Sequence, residues 1–383
     1  MNYKKKINLM HLVLSLETGG MERFIYEHCL AVDKEKFNVS VCCIDRLGGF
    51  YQKLIDEKID VSLFQKNQNH FDFLFAFRLS KLLKKNKVDV LHTHPGSFYH
   101  GSLGGFIARV PVVLYTEHGR HLIEPKFLKY FDKISTFLSD LIVTVSPELK
   151  TYLIEQIKLP GNKITTVLNG VNTNTFFSRP KSQKLLQEFS ISAKCKVVGT
   201  VGRLAEVKDH KTTIDAFRRL HLIIPDSKLI IVGDGEYLNE LNDYVDSSKL
   251  KDSVVFCGNR EDIQEILSIL DVFVMSSLSE GTSFSLLESM AAEIPSVVTN
   301  VGGNKSIIKN GYNGFLVNIK DSDNICEKLL CLLRNNNLAN KIGKNAREYV
   351  LNNYSLKKNI ENYEKIYLDL YEKNIGQRRK NES

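Results

Sequence analysis

The sequence predicts an α/β protein with two domains, each a doubly wound parallel sheet covered by helices. Short apolar runs rich in β-branched residues alternate with helical patterns along the chain. Several of these runs end in glycine or small polar residues just before a helix begins, as strands of parallel sheets do at their ligand-binding edge. The length of 383 residues and the hydrophobic content of 43% suffice for two separate cores.

The strand candidates share a length of a few residues and an apolar, β-branched composition. In the first half of the chain they are residues 7–14, 37–44, 61–64, 88–93, 112–116, 141–145 and 164–168. In the second half they are residues 196–202, 228–232, 254–257, 271–275 and 295–299. The polar stretch 178–188 separates the two sets and is interpreted as a linker.

Gly19 and Gly20 lie between the first strand and a helical pattern over residues 21–31. Glycine lets a backbone approach a ligand such as a phosphate closely. The alternative interpretation is a helix cap that only needs a positive φ.

Residues 71–87 predict an amphipathic helix. Phenylalanines lie near its start and lysines near its end, namely Phe71, Phe73, Phe75, Phe77, Lys81, Lys84, Lys85 and Lys87. A core helix with a solvated basic end is the favoured interpretation. The alternative is a face that lies on a membrane surface or meets a lipid acceptor.

His92 and His94 close one predicted strand, and their spacing places both rings on one face of it. Such a pair can begin a zinc site. No acidic or cysteine residue nearby in the sequence supplies a third ligand. We therefore expect no metal ion here.

Residues 277–303 contain the strongest functional signal. The preceding strand, over residues 271–275, ends in small polar residues, and a helix begins near Phe284. The N terminus of a helix at this edge of a parallel sheet suits a phosphate. Glu280 and Glu288 border the site and would repel a phosphate, so we expect them to bind hydroxyl groups. A phosphate site with two hydroxyl-binding acids favours a sugar nucleotide.

The same stretch resembles the signature of the retaining GT-B glycosyltransferases of family 4, the glycogen-synthase and mannosyltransferase type. The resemblance is carried by Glu280-Gly281, by Glu288 eight positions after the first acid, and by Ser-Met-Ala before the next strand. It implies two Rossmann-like domains that face each other across a cleft. The implied boundaries are 1–175 for an acceptor domain, 190–352 for a donor domain, and 355–375 for a helix that crosses back onto the first domain.

Other motifs of that family occur in both halves of the chain. Arg203 and Lys208 match a pair that binds the donor diphosphate, where two cations can neutralise the growing charge of a leaving group. The alternative for this pair is ordinary surface charge. His118, in a Thr-Glu-His-Gly motif, matches a histidine that faces the donor sugar, and its alternative is a structural histidine.

The resemblance implies a set of donor-binding residues as well. They are Gly19 and Gly20 near the phosphates, Arg260 and Ile263 beside the nucleobase, Ser283, Phe284, Ser285 and Leu286 at the helix start, and Glu288 on the ribose. The contacts of Arg260 and Ile263 are expected to be largely main-chain. Glu280 is implied to orient the sugar hydroxyls.

The implied reaction is transfer of a glycosyl group from a nucleoside diphosphate sugar to an acceptor hydroxyl, with retention and without a metal or other cofactor. UDP is favoured over GDP, and synthesis of a bacterial capsule, O-antigen or exopolysaccharide is favoured as the setting. One alternative is a nucleotide-sugar 2-epimerase, which needs acid–base carboxylates. Another is a non-catalytic subunit that binds a sugar nucleotide to support a partner.

Composition limits the partners. The net charge of +8 favours anionic ones, such as a nucleotide sugar or acidic lipid headgroups, while no stacking or zinc motif indicates nucleic acid. Seven cysteines without a CxxC pattern favour reduced thiols. We expect a cytoplasmic enzyme with a glycan or lipid-linked glycan acceptor, and peripheral contact with an anionic membrane as the alternative to a fully soluble one. Residues 378–383 are expected to form a frayed tail.

Overall fold

The computed structural model describes residues 5–17, 19–65, 72–119 and 128–382. The chain divides into two compact units. The first consists of residues 1–169 and 357–383, and the second of residues 170–356. Each unit is organised on one parallel sheet, as the alternation of strands and helices predicts.

The first unit contains a seven-stranded sheet in the order β3-β2-β1-β4-β5-β6-β7. Its strands are β1 (Ile7–Val13), β2 (Phe37–Cys43), β3 (Asp60–Leu63), β4 (Val90–Thr93), β5 (Val112–Glu117), β6 (Leu141–Thr144) and β7 (Ile164–Thr166). All pairings are parallel. The order reverses between β1 and β4, and the loops that leave two such strands diverge to form the usual ligand site of this topology.

The second unit repeats this arrangement with six parallel strands in the order β10-β9-β8-β11-β12-β13. They are β8 (Lys196–Val201), β9 (Ser227–Val232), β10 (Val254–Phe256), β11 (Val272–Met275), β12 (Ser296–Thr299) and β13 (Phe315–Val317). Here the order reverses between β8 and β11, which pair directly. The second ligand site is therefore expected where these two strands end.

Helices cover the sheets. They are α1 (Gly20–Ala31), α2 (Phe50–Asp56), α3 (Phe73–Lys85), α4 (Phe98–Ala108), α5 (Leu128–Leu138), α6 (Pro147–Tyr152), α7 (Gln183–Glu188), α8 (His210–Ile223), α9 (Leu238–Ser247), α10 (Ile263–Ile269), α11 (Phe284–Ala291), α12 (Asn304–Ile307), α13 (Ser322–Arg334), α14 (Asn336–Asn353) and α15 (Leu356–Glu382). The predicted linker 178–188 thus contains a short helix, α7.

Helix α3 has a buried and an exposed apolar side. Phe75, Leu79 and Leu83 are buried and pack in the core of the first unit, which confirms the prediction of a core helix. Leu74 and Phe77 are 72% and 55% exposed, so apolar surface remains on the other side. The predicted helix start at Phe71 lies outside the described residues.

The expectation of a frayed C-terminal tail is wrong. Helix α15 continues to Glu382. Asn374 Nδ2 donates to the carbonyl of Pro111 at 2.8 Å, and Arg378 Nη2 donates to the carbonyl of Val110 at 3.3 Å. These bonds hold residues 374–378 on the residues that precede β5, and local polarity could not reveal a contact between segments so far apart in sequence.

Candidate active site

In the second unit, the loops after β8 and β11 leave adjacent strands where the strand order reverses. The first carries Arg203 and Lys208, and the second carries Glu280. The backbone N–H of Leu278 donates to the carbonyl of Val207 at 2.8 Å, which ties the two loops together. The topology thus brings together predicted site residues that are more than 70 positions apart in sequence.

Lys208 and Glu280 form a direct ion pair. Lys208 Nζ lies 2.6 Å from Glu280 Oε1, and the same oxygen accepts a hydrogen bond from Ser277 Oγ at 2.6 Å. The Glu280 side chain is only 8% exposed and that of Lys208 23%. The motifs predicted a cation for the diphosphate and an acid for the sugar, but gave no sign that the two side chains touch.

Arg203 differs from Lys208 in its surroundings. Its side chain is exposed, and its guanidinium forms no ion pair with any residue that the structure describes. The Arg203 carbonyl accepts a hydrogen bond from His210 Nε2 at 3.2 Å, which fixes the main chain at this point. An anion near this loop would therefore meet two different cations: Lys208, which is paired with a carboxylate, and Arg203, which is exposed to solvent.

Helix α11 begins at Phe284, as predicted. Ser283 is its N-cap, and Ser283 Oγ accepts a hydrogen bond from the N–H of Leu286 at 3.4 Å and lies 3.2 Å from Ser285 Oγ. Glu288, one turn further on, is 2% exposed. The first turn offers backbone N–H groups and the positive end of the helix dipole to an anion. Binding by Ser283 to Leu286 and by Glu288 stays a prediction.

Glycines let these loops pack backbone against backbone. A Cβ on Gly302, whose φ is +43°, would overlap the carbonyl oxygen of Glu280, and one on Gly303 would overlap that of Gly281. On the neighbouring strands, a Cβ on Gly233 would overlap the carbonyl oxygen of Gly202. The glycines after β9 and β12 are therefore needed to bring the loops of Arg203 and Glu280 this close to their neighbours.

The Arg260 side chain is held within the protein. It donates to both carboxylate oxygens of Asp262, at 2.8 and 2.6 Å, and to Glu188 Oε1 at 2.7 Å. These hydrogen bonds, that with Asp262 first, raise the pKa of Arg260. A donor contact at Arg260 and at Ile263, which begins α10, therefore stays a prediction that concerns the main chain.

In the first unit, Gly19 is the N-cap of α1 and Gly20 its first residue. Gly19 has a φ of −168°, which any residue can adopt, so the alternative of a cap that needs a positive φ is wrong here. A Cβ at Gly19 would meet only the carboxylate end of the flexible Glu22 side chain, which can move aside, so neither φ nor space requires glycine here. Burial raises the pKa of Glu22. Donor binding by Gly19 and Gly20 stays a prediction.

His118 follows directly after β5 and is partly exposed. Its Nε2 lies 3.1 Å from Nδ1 of His94, and its ring meets Phe24 edge-on at 5.0 Å between centroids. Burial lowers the pKa of His118 to about 3, so the ring is neutral at physiological pH. It is therefore both anchored in the core and reachable at one side.

Four fully buried histidines lie beside His118 in one cluster, namely His11, His28, His92 and His94. His11 and His92 are register partners on β1 and β4. Nitrogens of His11, His92 and His94 all lie within 4.8 Å of one another. His92 Nδ1 contacts the Tyr367 hydroxyl and His92 Nε2 the Thr116 hydroxyl, both at 2.7 Å. His11 thus supplies the third imidazole that the sequence near His92 and His94 did not show.

The first unit also exposes large hydrophobic residues that sequence reasoning missed. Tyr130, Ile134 and Phe137 are 70%, 49% and 81% exposed, and their spacing places them on one face of α5. We call these three residues the α5 face. An amphipathic pattern over residues 128–138 was the available signal. None of the helices in the described part of the chain combines the length and apolarity needed to cross a bilayer.

Comparison with known proteins agrees with this architecture. Residues 18–175 match the family described as "Glycosyltransferase Family 4", and residues 181–349 match "Glycosyl transferases group 1". A UDP-Gal:alpha-D-GlcNAc-diphosphoundecaprenol alpha-1,3-galactosyltransferase of Escherichia coli is 28% identical, covering 95% of this chain and 97% of its own length. The capsular polysaccharide biosynthesis glycosyltransferase CapM of Staphylococcus aureus is 28% identical, covering 82% of this chain and 84% of its own.

A solved structure supports the fold independently. Anabaena HepE in complex with UDP superposes with a TM-score of 0.83 at 21% identity, covering 94% of this chain and 99% of that one. At this identity the likeness establishes the fold alone. Both family matches, the relatives that align along most of their length and the two parallel-sheet units show that the chain belongs to the group 1, family 4 GT-B glycosyltransferases.

Proposed function

We propose that this glycosyltransferase moves a glycosyl group from a UDP-sugar to an acceptor hydroxyl, with retention at the anomeric carbon. The observation that carries the proposal is the ion pair of Lys208 and Glu280 where β8 and β11 end. A cation for a diphosphate and an acid for sugar hydroxyls are held against each other there, shortly before the N terminus of α11. Their contact matches a ligand whose diphosphate is joined directly to a sugar.

The chemistry follows from where charge develops. As the bond between the anomeric carbon and the diphosphate oxygen breaks, negative charge grows on the departing diphosphate. Arg203, Lys208 and the first turn of α11 stabilise that charge. The acceptor oxygen forms the new bond on the same face, and its proton passes to the departing phosphate. Two cations and a helix dipole supply the positive charge, so the proposed reaction requires no metal.

Carboxylates and histidine position the donor in this scheme. Glu280 orients hydroxyls of the transferred sugar, Glu288 binds the ribose, and His118 faces the sugar. A carboxylate close to the anomeric carbon would be needed for a covalent intermediate, as in retaining glycosidases. Glu280 is already bonded to Lys208 and Ser277 through one oxygen, which favours an orienting role over that of a nucleophile.

The acceptor we propose is a lipid-linked glycan of a bacterial surface polysaccharide. The E. coli relative is named for a diphosphoundecaprenol-linked acceptor, and CapM for capsular polysaccharide biosynthesis. The first unit carries 30 Lys and Arg against 22 Asp and Glu, whereas the second carries 22 of each. All of the net positive charge thus lies on the unit that also exposes the α5 face, which suits work at the cytoplasmic face of an anionic membrane.

Purified protein tests the proposal. It is incubated with UDP-galactose, UDP-glucose, UDP-N-acetylglucosamine or GDP-mannose, with and without a short-chain lipid diphosphate sugar, and products are followed by mass spectrometry and NMR. We expect a lengthened acceptor with an α-linked sugar from one UDP-sugar. An isomerised sugar nucleotide without acceptor would indicate the 2-epimerase. Thermal stabilisation by UDP-sugars without turnover of any tested acceptor would favour a non-catalytic subunit.

A further inference from the structure

Three imidazoles of the first unit form a continuous hydrogen-bonded chain. His118 Nε2 lies 3.1 Å from His94 Nδ1, and His94 Nε2 lies 3.0 Å from His11 Nδ1. Successive rings in the chain are nearly parallel, at 28° and 26° between planes. His94 and His11 are fully buried, and only His118 reaches the surface. The chain therefore has an inner end at His11 and an outer end at His118.

The inner end determines which nitrogen donates in each of these hydrogen bonds. His11 Nε2 is buried and has no hydrogen-bond partner within the described part of the chain. A buried N–H without a partner costs more than a buried lone pair without one, so the proton of neutral His11 belongs on Nδ1. Burial lowers the pKa of His11, His94 and His118, so each ring carries one proton.

The remaining protons follow one by one. His11 Nδ1–H donates to His94 Nε2, so the proton of His94 must be on Nδ1. His94 Nδ1–H then donates to His118 Nε2, so His118 carries its proton on Nδ1. A histidine in water would be free to adopt either tautomer. In this unit His118 cannot adopt the Nε2–H tautomer while His94 donates to its Nε2.

We propose that His94 and His11 are positioning residues that hold His118 as the Nδ1–H tautomer, so that it offers a hydrogen-bond donor to an oxygen of the transferred sugar. The inference rests on the proposed function of His118 in facing that sugar. An acceptor nitrogen there would repel the lone pairs of the sugar ring oxygen and could bind a hydroxyl only by accepting its hydrogen. The buried histidines thus determine whether the accessible nitrogen of His118 is a hydrogen-bond donor or an acceptor.

A metal site is the other reading of this cluster, and the geometry disfavours it. A third ligand would have to come from His92, whose two nitrogens each contact a hydroxyl at 2.7 Å. The nitrogens of His11 and His94 that face each other are themselves at hydrogen-bond distance. A metal would have to break several of these bonds, and zinc titrated into the protein should leave the histidine resonances unchanged.

Nitrogen-15 NMR of selectively labelled histidine measures the tautomer directly, because protonated and bare ring nitrogens resonate far apart. The free protein is measured near pH 7.5, with His118→Gln used only to assign the His118 signals. We expect Nδ1 of His118 to be protonated and Nε2 bare. A wild-type His118 protonated at Nε2 would overturn the proposal.

Variants separate positioning from packing. His94→Leu removes the donor to His118, whereas the side-chain amide of His94→Asn can still donate from the position of Nδ1. We expect His118 to gain the Nε2–H tautomer in His94→Leu and to keep Nδ1–H in His94→Asn. Transfer should fall about tenfold in the first variant, the cost of roughly one hydrogen bond, and recover in the second.

His28→Leu is the matched control. His28 is equally buried in the same cluster, but it takes no part in the hydrogen bonds that link His11, His94 and His118. It should leave the His118 tautomer unchanged. If His94→Leu does not fold, the comparison of wild type with His94→Asn and His28→Leu still decides the tautomer. An unchanged His118 tautomer in a folded His94→Leu protein overturns the proposal. The NMR result needs no donor, so it stands apart from any failure to detect transfer.

Discussion

The two units share a strand order but place opposite chemistry at the same topological position. Where β1 and β4 end, the first unit has buried, neutral imidazoles. Where β8 and β11 end, the second has the ion pair of Lys208 and Glu280 and the exposed Arg203. The net charges of the units differ in the opposite sense. The unit with the neutral histidines carries the whole surplus of +8, and the unit with the charged site has no net charge. Topology thus sets where a ligand binds, and residue type sets what is bound.

The largest expected effect concerns the cations of the second unit. Arg203→Ala or Lys208→Ala should each lower the turnover number by roughly 10²–10³, as expected for one lost preorganised group that stabilises developing charge. Steady-state transfer from the UDP-sugar measures this. Lys211→Ala is the control, because Lys211 is a partly exposed lysine that pairs with Glu240 outside the proposed site. Wild-type rates in either site variant would remove the diphosphate assignment.

Acid should separate the units by stability. His28 is fully buried, and burial lowers its pKa to about 3, below the unfolded value near 6.5. Below pH 6.5 the unfolded chain binds a proton that the folded one does not, so stability is lost as the pH falls toward 3. The slope is about 1.4 kcal/mol per pH unit for each such histidine.

Hydrogen exchange at pH 7.5 and 5.5, corrected for intrinsic rates, tests the difference. Peptides of β1, β4 and β5 should lose more protection than those of β8 and β11. Replacing His28 by leucine should reduce the slope. Equal losses in the two units would show that the buried histidines do not control acid stability.

The two carboxylates of the second unit should divide their work. Glu288→Ala should weaken binding of free UDP about tenfold, since a buried ribose partner is lost. Glu280→Gln should bind free UDP at least as tightly as wild type, because Lys208 is then no longer paired with a carboxylate and can bind the diphosphate. The same variant should transfer the sugar poorly. Calorimetry with UDP and with the UDP-sugar measures both. Equal losses for free UDP would contradict the proposed division.

The smallest effect concerns the charge of the first unit. Protein should sediment with anionic but not neutral liposomes and be released by salt, because exposed charges are screened. Neutralising Lys81, Lys84 and Lys85 should each cost about 1 kcal/mol of binding. The control is neutralisation of Lys194, Lys341 and Lys344, three exposed lysines of the second unit. Binding that ignores salt and lipid charge would shift the acceptor toward a soluble glycan.

Local sequence determined much of the second unit. The apolar run of β11, the cap at Ser283 and the helical pattern of α11 are encoded within a few residues, so their order and bounds were predictable. The same holds for the alternation that gave both parallel sheets. Two consecutive glycines, Gly302 and Gly303, favour a turn, but the sequence does not show that two backbones meet there, because that contact joins loops of separate strands.

Tertiary structure alone decided which distant residues touch. The bond between Lys208 and Glu280, the register of His11 with His92, and the anchoring of α15 by Arg378 all depend on strands and helices that crossover connections bring side by side. Periodicity specifies which face of an element is apolar, but not which element lies next to it. The sequence by itself therefore determined the family, the two sheets and the residue types of the site. The pairing of a cation with an acid, and of one histidine with another, was decided by the packing of whole elements.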